Sequence, residues 1–126
     1  MKETCIIIVI ICIVVTASVL SQQYIKKQID CLLKELEDLK IEIIAKKDVE
    51  AISKINKIYD KWQGIKDKLS VLVDHVHLDK VQSNIISIKA GLENNEKSNL
   101  LIDIEKTKSF LIDIEEINKV KLKNVF

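Results

Sequence analysis

A run of 22 residues without a charged side chain, residues 4–25, constrains this chain more than any other feature. As an α-helix rising about 1.5 Å per residue, the run would be roughly 33 Å long, and the hydrocarbon core of a bilayer is about 30 Å thick. It therefore predicts one membrane-spanning helix, with the lipid bilayer as the partner of residues 4–25. We divide the chain into a membrane anchor, residues 1–25, and a helical domain, residues 26–126.

A cleaved signal peptide is the competing interpretation of this segment. Residues 5–15 have the length of a signal-peptide hydrophobic region, and residues 16–18 are small. However, Lys2 is the only basic side chain before the apolar run, and the small residues form no clean cleavage site. These features favour an uncleaved anchor in a single-pass cell-membrane protein.

The lysines around the span bear on its orientation. Lys2 precedes the span, whereas Lys26, Lys27, Lys34 and Lys40 follow it. Because cytoplasmic segments are enriched in Lys, this distribution alone would keep the helical domain inside the cell. The segment after the span is 101 residues long, however, and the rule holds best for segments of up to about 60 residues. The charges therefore leave the orientation open.

The chain after the span is predicted to be helical. It lacks proline and contains only two glycines, and its apolar residues recur every three or four positions, the period of one helix face. We expect the first helix to continue from the anchor and three more to follow. The four apolar series are Ile25, Ile29, Leu32, Leu36, Leu39, Ile43; Val49, Ile52, Ile55, Tyr59, Trp62, Ile65, Leu69, Leu72; Leu78, Val81, Ile85, Ile88, Leu92; and Leu101, Ile104, Leu111, Ile114, Ile117.

Polar residues between these series indicate where helices begin. Asp48, Asp74 and Ser98 are the candidate N-caps of the second, third and fourth helices. Residues 120–126 alternate weakly and are expected to form a docked tail. Because a helix with one apolar stripe must bury it against neighbours, the helices should pack together through short connections. The predicted fold is all-α: an N-terminal transmembrane helix followed by a three- to four-helix antiparallel bundle.

Charge and cysteine content exclude several classes. The 20 basic residues are all lysines, and 19 acidic residues leave a net charge of +1. Arginine is the preferred side chain for bidentate phosphate contacts, and mixed Lys and Glu create no sustained positive surface, so no nucleic-acid partner is predicted. Cys5 and Cys12 lie in the span, and Cys31 alone cannot form an intramolecular disulfide in the helical domain.

Residues 74–79, Asp-His-Val-His-Leu-Asp, contain side-chain types that bind transition metals. His75, His77 and Asp79 are the candidate ligands. Residues two apart do not share a helix face, however, and the chain has no third histidine to complete a tetrahedral site. The favoured interpretation is structural: Asp74 caps the third helix, and a histidine bonds free carbonyls at a helix end. We therefore predict no metal and no cofactor, and treat pH sensing by the histidines as a hypothesis.

The aromatic residues have two interpretations. Trp62 and Tyr59 could line a ligand groove, but aromatic residues at helical spacing more often pack in a core. Phe126 is likewise a candidate for packing or interaction. Gly64 costs about 1 kcal/mol relative to alanine within a helix, which predicts close approach by a neighbouring element. The sequence contains no P-loop, nucleophile elbow or zinc-protease motif, so we expect no enzymatic activity.

Several short motifs together suggest a family. They are Trp62, Leu69-Ser70, Asp74-His75, Leu78-Asp79 and Asn124-Val125-Phe126. In these motifs the chain resembles a family of short proteins from clostridia and related Firmicutes that is known only as a domain of unknown function. The resemblance covers nearly the whole chain. It implies a single N-terminal membrane segment and a helical domain outside the cytoplasm in endospore-forming bacteria, with no established reaction, cofactor or ligand.

The leading functional prediction is a non-enzymatic protein at the cell envelope whose bundle binds a protein partner or a second copy of itself. The anchor, the amphipathic helices and the lack of a catalytic motif all favour it. The resemblance alone suggests a setting in sporulation or germination. The alternative is an extracytoplasmic ligand- or metal-binding module that uses residues 74–79 or a groove near Trp62.

Overall fold

The computed structural model describes residues 1–71 and 73–125, with side chains up to Val120. This part of the chain contains four helices and no strand: α1 (Lys2–Ile44), α2 (Asp48–Leu69), α3 (His75–Glu93) and α4 (Leu100–Val125). The predicted all-α fold is therefore confirmed, with four helices in the bundle. Leu72 and Phe126, which the sequence assigned to packing positions, lie outside the described residues.

The four helices form a closed ring of neighbours. Both α1 and α3 pack against α2 and α4. The connections are short, residues 45–47, 70–74 and 94–99, so consecutive helices run in opposite directions. We call the end of the bundle next to the apolar half of α1 the proximal end; it contains Ile25, Leu69 and His75. The distal end contains Ile44, Asp48 and Leu100.

Helix α1 is continuous through the apolar run and the bundle, as predicted. Its 43 residues correspond to a length of about 64 Å. The core begins at Ile25, and the aliphatic residues of the N-terminal half are largely exposed. None of the most apolar 18-residue window is buried inside the protein. By length and composition, this half of α1 can cross a membrane.

Two hydroxyl groups within this half are bonded to their own helix. Thr16 Oγ1 donates a hydrogen bond to the carbonyl of Cys12 over 2.8 Å, and Ser18 Oγ donates to that of Val14 over 2.9 Å. An unpaired hydroxyl would be costly in hydrocarbon because no water is present to bond it. These local bonds make the two polar residues compatible with an apolar environment.

The core confirms two of the predicted apolar series completely. Every member of the α1 series from Ile25 to Ile43 and of the α3 series from Leu78 to Leu92 is buried. Trp62, from α2, is fully buried between them. These positions step strictly by three and four residues, which keeps one face of each helix toward the core.

The predicted series of α2 and α4 were partly wrong. In α2 the buried face includes Ala51 and Ile58, whereas Val49 is 79% exposed. In α4 Leu101 is 38% exposed, and the buried positions include the preceding Leu100 and two polar residues. Those polar residues are Thr107 and Asn118.

The helix starts also differ from the prediction. Asp48 is the first residue of α2 rather than its cap, and Lys47 occupies the N-cap position. The negative charge of Asp48 in the first turn of α2 still interacts favourably with the helix dipole. Ser98 lies in a turn, and α4 begins two residues later at Leu100. Residues 120–125 are not a separate tail, because α4 continues to Val125.

Close approach by a neighbouring element was predicted at Gly64, but the structure shows it at Gly91 instead. No heavy atom lies within 4 Å of a Cβ built on Gly64. A Cβ on Gly91 would lie 2.7 Å from Leu100 Cδ2 and 2.9 Å from the carbonyl oxygen of Glu96. Gly91 is thus the position where the start of α4 closes tightly onto α3.

Candidate functional site

The structure places residues 74–79 at the start of α3, at the proximal end of the bundle. His75 and Asp79 are exposed, and their four-residue spacing puts them on one helix face. His77 is half-buried and lies on another face. Within residues 1–71 and 73–125, no group of three or more His, Cys, Asp or Glu side chains is placed to hold a metal ion.

The capping prediction for this cluster was right about the position of Asp74 and wrong about its side-chain bond. Asp74 occupies the N-cap position of α3, but its side chain makes no capping hydrogen bond; its carbonyl oxygen accepts a bond from the His77 N–H over 3.1 Å. The histidines lie in the first turn of α3, where helices expose N–H groups rather than carbonyls. The carbonyls at the end of α2 accept bonds from Ser70 and Val73 instead.

Trp62 lies in the core and joins α2 to α3 through a polar contact. Its indole Nε1 donates a hydrogen bond to Gln82 Oε1 over 2.9 Å, and Gln63 Nε2 donates to the same oxygen over 2.7 Å. Buried tryptophan N–H groups usually find such a partner. The side chain of Trp62 is fully buried, so no part of it is available to line an open groove.

Three residues that the sequence did not group together meet between α1 and α2. The ammonium of Lys61 donates hydrogen bonds to Glu35 Oε1 over 2.8 Å and to the sulfur of Cys31 over 2.9 Å. These bonds, first to Cys31 and then to Glu35, raise the pKa of Lys61 above its ordinary value of 10.5. Because Lys61 is 26 positions from Glu35 and 30 from Cys31, the sequence alone does not reveal this contact; it depends on the α1–α2 register.

A second ionic cluster joins α1 to α4. Lys108 is bonded to Glu37 and to Glu105, and Glu105 also accepts a bond from Lys40 over 3.1 Å. The hydrogen bonds from Lys40 and Lys108 lower the pKa of Glu105 below its ordinary value of 4.5. The bond to Glu37, followed by that to Glu105, raises the pKa of Lys108.

An open polar cleft of about 460 Å³ lies between α3 and α4 near the distal end. Gly91, Asn94, Ser98 and Lys106 contribute to its lining. At its wall, Ser87 Oγ donates a hydrogen bond to Asp103 Oδ2 over 2.9 Å. The lining of the cleft presents hydroxyl, amide and charged groups to solvent. Among the described residues, the cleft does not place a nucleophile beside an acid–base pair.

Comparison with known proteins assigns the chain to a family. No curated protein and no solved structure matches it. The family model described as Domain of unknown function (DUF4363) matches residues 19–125, which include the end of the apolar run and nearly the whole bundle. The chain therefore belongs to this DUF4363 family, a domain of unknown function.

Proposed function

We propose that this protein is a non-enzymatic membrane-anchored component of the cell envelope, which holds a four-helix bundle at the membrane for contact with a protein partner. The observation that carries the proposal is the continuity of α1, whose exposed apolar half leads without a break into the first helix of the bundle. Residues 4–25 form the span, and the bundle begins at Ile25. No loop separates the two parts, so the span fixes the position of the bundle.

The bundle lies outside the cytoplasm in this proposal. The length of the segment after the span supports translocation, since long domains cross the membrane largely regardless of their charge. The resemblance to short proteins of clostridia and related Firmicutes supports the same orientation and a role in sporulation or germination. A reporter fused after Phe126 that is active only outside the cell tests the orientation directly. Activity of a cytoplasmic reporter at the same position would contradict it.

The distal end of the bundle supports the interaction role. Large aliphatic side chains are exposed there on both sides of the turn between α1 and α2: Ile41 is 58%, Ile44 61% and Val49 79% exposed. Ile102, near the start of α4, is 54% exposed. Ile41 and Ile44, three residues apart, are neighbours on the surface of α1, and a continuous exposed apolar patch is typical of a protein contact. We assign this end to the partner.

The polar contacts inside the bundle support a structural rather than a catalytic role. Lys61 bonds Glu35 and Cys31 across α1 and α2, and Gln82 accepts bonds from two side chains of α2. Each of these groups links two helices. Such contacts fix the register of a bundle by leaving mismatched polar groups unpaired in any other alignment.

Photo-crosslinking in cells tests the proposed contact. A benzoylphenylalanine residue at position 44 should yield a discrete crosslinked product, and the same residue at Lys57, which is exposed on the middle of α2, should not. The substitution Val49→Glu should abolish the product without changing the helical circular dichroism of the protein. Equal labelling at positions 44 and 57, or no product at 41, 44 or 49, would overturn the assignment.

A further inference from the structure

The contact of Lys61 with Cys31 and Glu35 brings a thiol and an amine unusually close together. The Lys61 nitrogen lies 2.9 Å from the Cys31 sulfur and 2.8 Å from Glu35 Oε1. Thiol sulfur is a large atom and a weak acceptor, so hydrogen bonds to it are ordinarily longer than those to carboxylate oxygen. Here the two distances are nearly equal, and the nitrogen and sulfur are therefore in close contact.

The cluster is open to small molecules in solution. The side chains of Lys61 and Glu35 are 31% and 25% exposed, and Cys31 is half-buried. Reactive cysteines are characteristically exposed in part and lie beside a cationic group, whereas structural cysteines are enclosed by apolar side chains. The position of Cys31 beside the Lys61 ammonium is of the first kind.

A disulfide within the chain does not compete for this sulfur. Cys12 and Cys31 are both on α1 and 19 positions apart, which is about 28 Å along the helix axis. Cysteines joined by a disulfide have Cα atoms within about 7 Å of each other. The reactive group in contact with the Cys31 sulfur is instead the amine of Lys61.

Glu35 provides a group that accepts protons from Lys61. Its Oε1 already accepts a hydrogen bond from the ammonium. Its Oε2 is buried and has no hydrogen-bond partner among the residues that the structure describes. Lys61 must lose protons before its nitrogen forms a new bond, and a base within hydrogen-bond distance is positioned to take them.

We propose that Cys31 and Lys61 form a modification site, at which dioxygen joins the sulfur to the nitrogen through one bridging oxygen atom. The product is an N–O–S cross-link between α1 and α2. This inference goes beyond the contact with a partner and does not depend on the membrane span.

The reaction balances with one molecule of dioxygen. An N–O bond and an O–S bond form, while the thiol S–H bond, one N–H bond of the neutral amine and the O–O bond break. The two hydrogens leave with the second oxygen atom as water. Sulfur and nitrogen each lose two electrons, and dioxygen takes up all four.

The separation of the two atoms favours a bridging oxygen over a direct bond. Two single bonds that meet at an oxygen atom keep their outer atoms only a few tenths of an ångström closer than the 2.9 Å observed. A direct sulfur–nitrogen bond would require the two atoms to approach by more than an ångström. The bridged product therefore fits the present positions of α1 and α2.

The cross-link should stabilise the bundle in the way that a disulfide does. It closes a loop between two residues 30 positions apart, which restricts the unfolded chain. For a domain of about a hundred residues, this restriction should raise the melting temperature by about 10 °C. Oxidation at this site would thus fasten α1 to α2.

Mass spectrometry of the full-length protein in detergent tests the chemistry. The variant C5A/C12A, which keeps Cys31 as its one thiol, is purified with a reductant under nitrogen and then exposed to air. Its mass should rise by about 14 Da, for one oxygen gained and two hydrogens lost, and a proteolytic digest should contain residues 31 and 61 in one linked product. A thiol reductant should restore a free thiol that reacts with one maleimide.

Other masses would overturn the proposal. An unchanged mass, or a rise of about 16 or 32 Da confined to Cys31, would show that the sulfur is inert or is oxidised without its neighbour. A loss of about 2 Da with residues 31 and 61 linked would show a direct sulfur–nitrogen bond and refute the bridging oxygen. A disulfide between two chains would assign Cys31 to a different reaction.

Two lysine variants identify the amine. In the same background, K61R keeps the positive charge but should not form the cross-link, whereas K57R, at an exposed position one turn away on α2, should form it as the parent does. Aeration should raise the melting temperature of the parent and of K57R but not that of K61R. A cross-link that persists in K61R would reject Lys61 as the partner. Equal melting temperatures for the reduced and the cross-linked parent would refute the fastening of α1 to α2.

Discussion

Trp62 Nε1 and Gln82 Oε1 are 2.9 Å apart, and this hydrogen bond joins α2 to α3 inside the core. The variant Gln82→Met keeps the length of the side chain and leaves the indole N–H without its acceptor. An unsatisfied buried donor costs about 1–3 kcal/mol, so the free energy of unfolding should fall by that amount. The chain has one tryptophan, and its fluorescence during denaturation of the detergent-solubilised protein measures the change. Gln63→Met, which removes the second donor to the same oxygen, should cost less; an equal cost would contradict the role of the indole bond.

The two glycines should respond in opposite directions to the same substitution. Gly64→Ala gains helix propensity in open space and should stabilise the protein by about 0.5–1 kcal/mol. Gly91→Ala gains the same propensity but places a Cβ 2.9 Å from the Glu96 carbonyl oxygen and 2.7 Å from Leu100 Cδ2, so the turn before α4 must shift and stability should fall. Thermal unfolding followed by circular dichroism gives the sign of each change. Stabilisation at both positions would show that α4 relaxes away from α3 without cost.

The contact between Lys61 and Glu35 should show measurable energetic coupling. Their side chains are 31% and 25% exposed, and a charge-assisted hydrogen bond joins them over 2.8 Å. A double-mutant cycle with K61A and E35A should give a coupling of about 1 kcal/mol. The more exposed pair Lys97 and Asp48 provides the matched control and should give about 0.5 kcal/mol or less. A coupling energy for Lys97 and Asp48 that equals or exceeds that for Lys61 and Glu35 would contradict this prediction.

The ionic cluster between α1 and α4 predicts the pH dependence of stability. Because the folded pKa of Glu105 is lowered, its contribution is present above about pH 4.5 and is lost as the pH falls through the folded value. The raised pKa of Lys108 gives a contribution that is present below about pH 10.5 and is lost as the pH rises through the folded value.

Melting temperatures measured across this range should form a plateau with a decline at each end. Glu105→Gln should reduce the loss of stability at acid pH. The effect on the free energy of unfolding should be at most about 1 kcal/mol, because the Glu105 side chain is half exposed. Glu96→Gln, in the turn between α3 and α4, is the control for loss of one carboxylate. An identical acid decline in wild type and in E105Q would refute the assignment to this residue.

The sequence patterns predicted α1 and α3 well because both helices have one unambiguous apolar stripe. In α2 two stripes overlap: Ala51 and Ile58 belong to one, Val49 to the other, and periodicity alone does not choose between them. In α4 the buried positions include Thr107 and Asn118, which a count of apolar residues overlooks. Thr107 is accommodated because its hydroxyl bonds the carbonyl of Asp103 over 2.7 Å.

The candidate polar sites were harder to predict than the fold. Residues 74–79 were a candidate site because His and Asp side chains can bind metals and these residues are close together in the sequence. The polar contacts that the bundle buries instead join distant residues, such as Cys31 with Lys61 and Trp62 with Gln82. Each depends on the alignment of two helices, which the spacing of apolar residues within a single helix does not determine.

The uninterrupted α1 connects the bundle rigidly to the proposed membrane span. No glycine or proline lies between Lys2 and Ile44, so if the apolar half of α1 spans a membrane as proposed, its tilting rotates the whole helix about the membrane surface. A change of about 10° in tilt, as bilayer thickness varies, would swing the distal end sideways by about 5 Å. A change in bilayer thickness would therefore displace the surface of the bundle to which a partner binds.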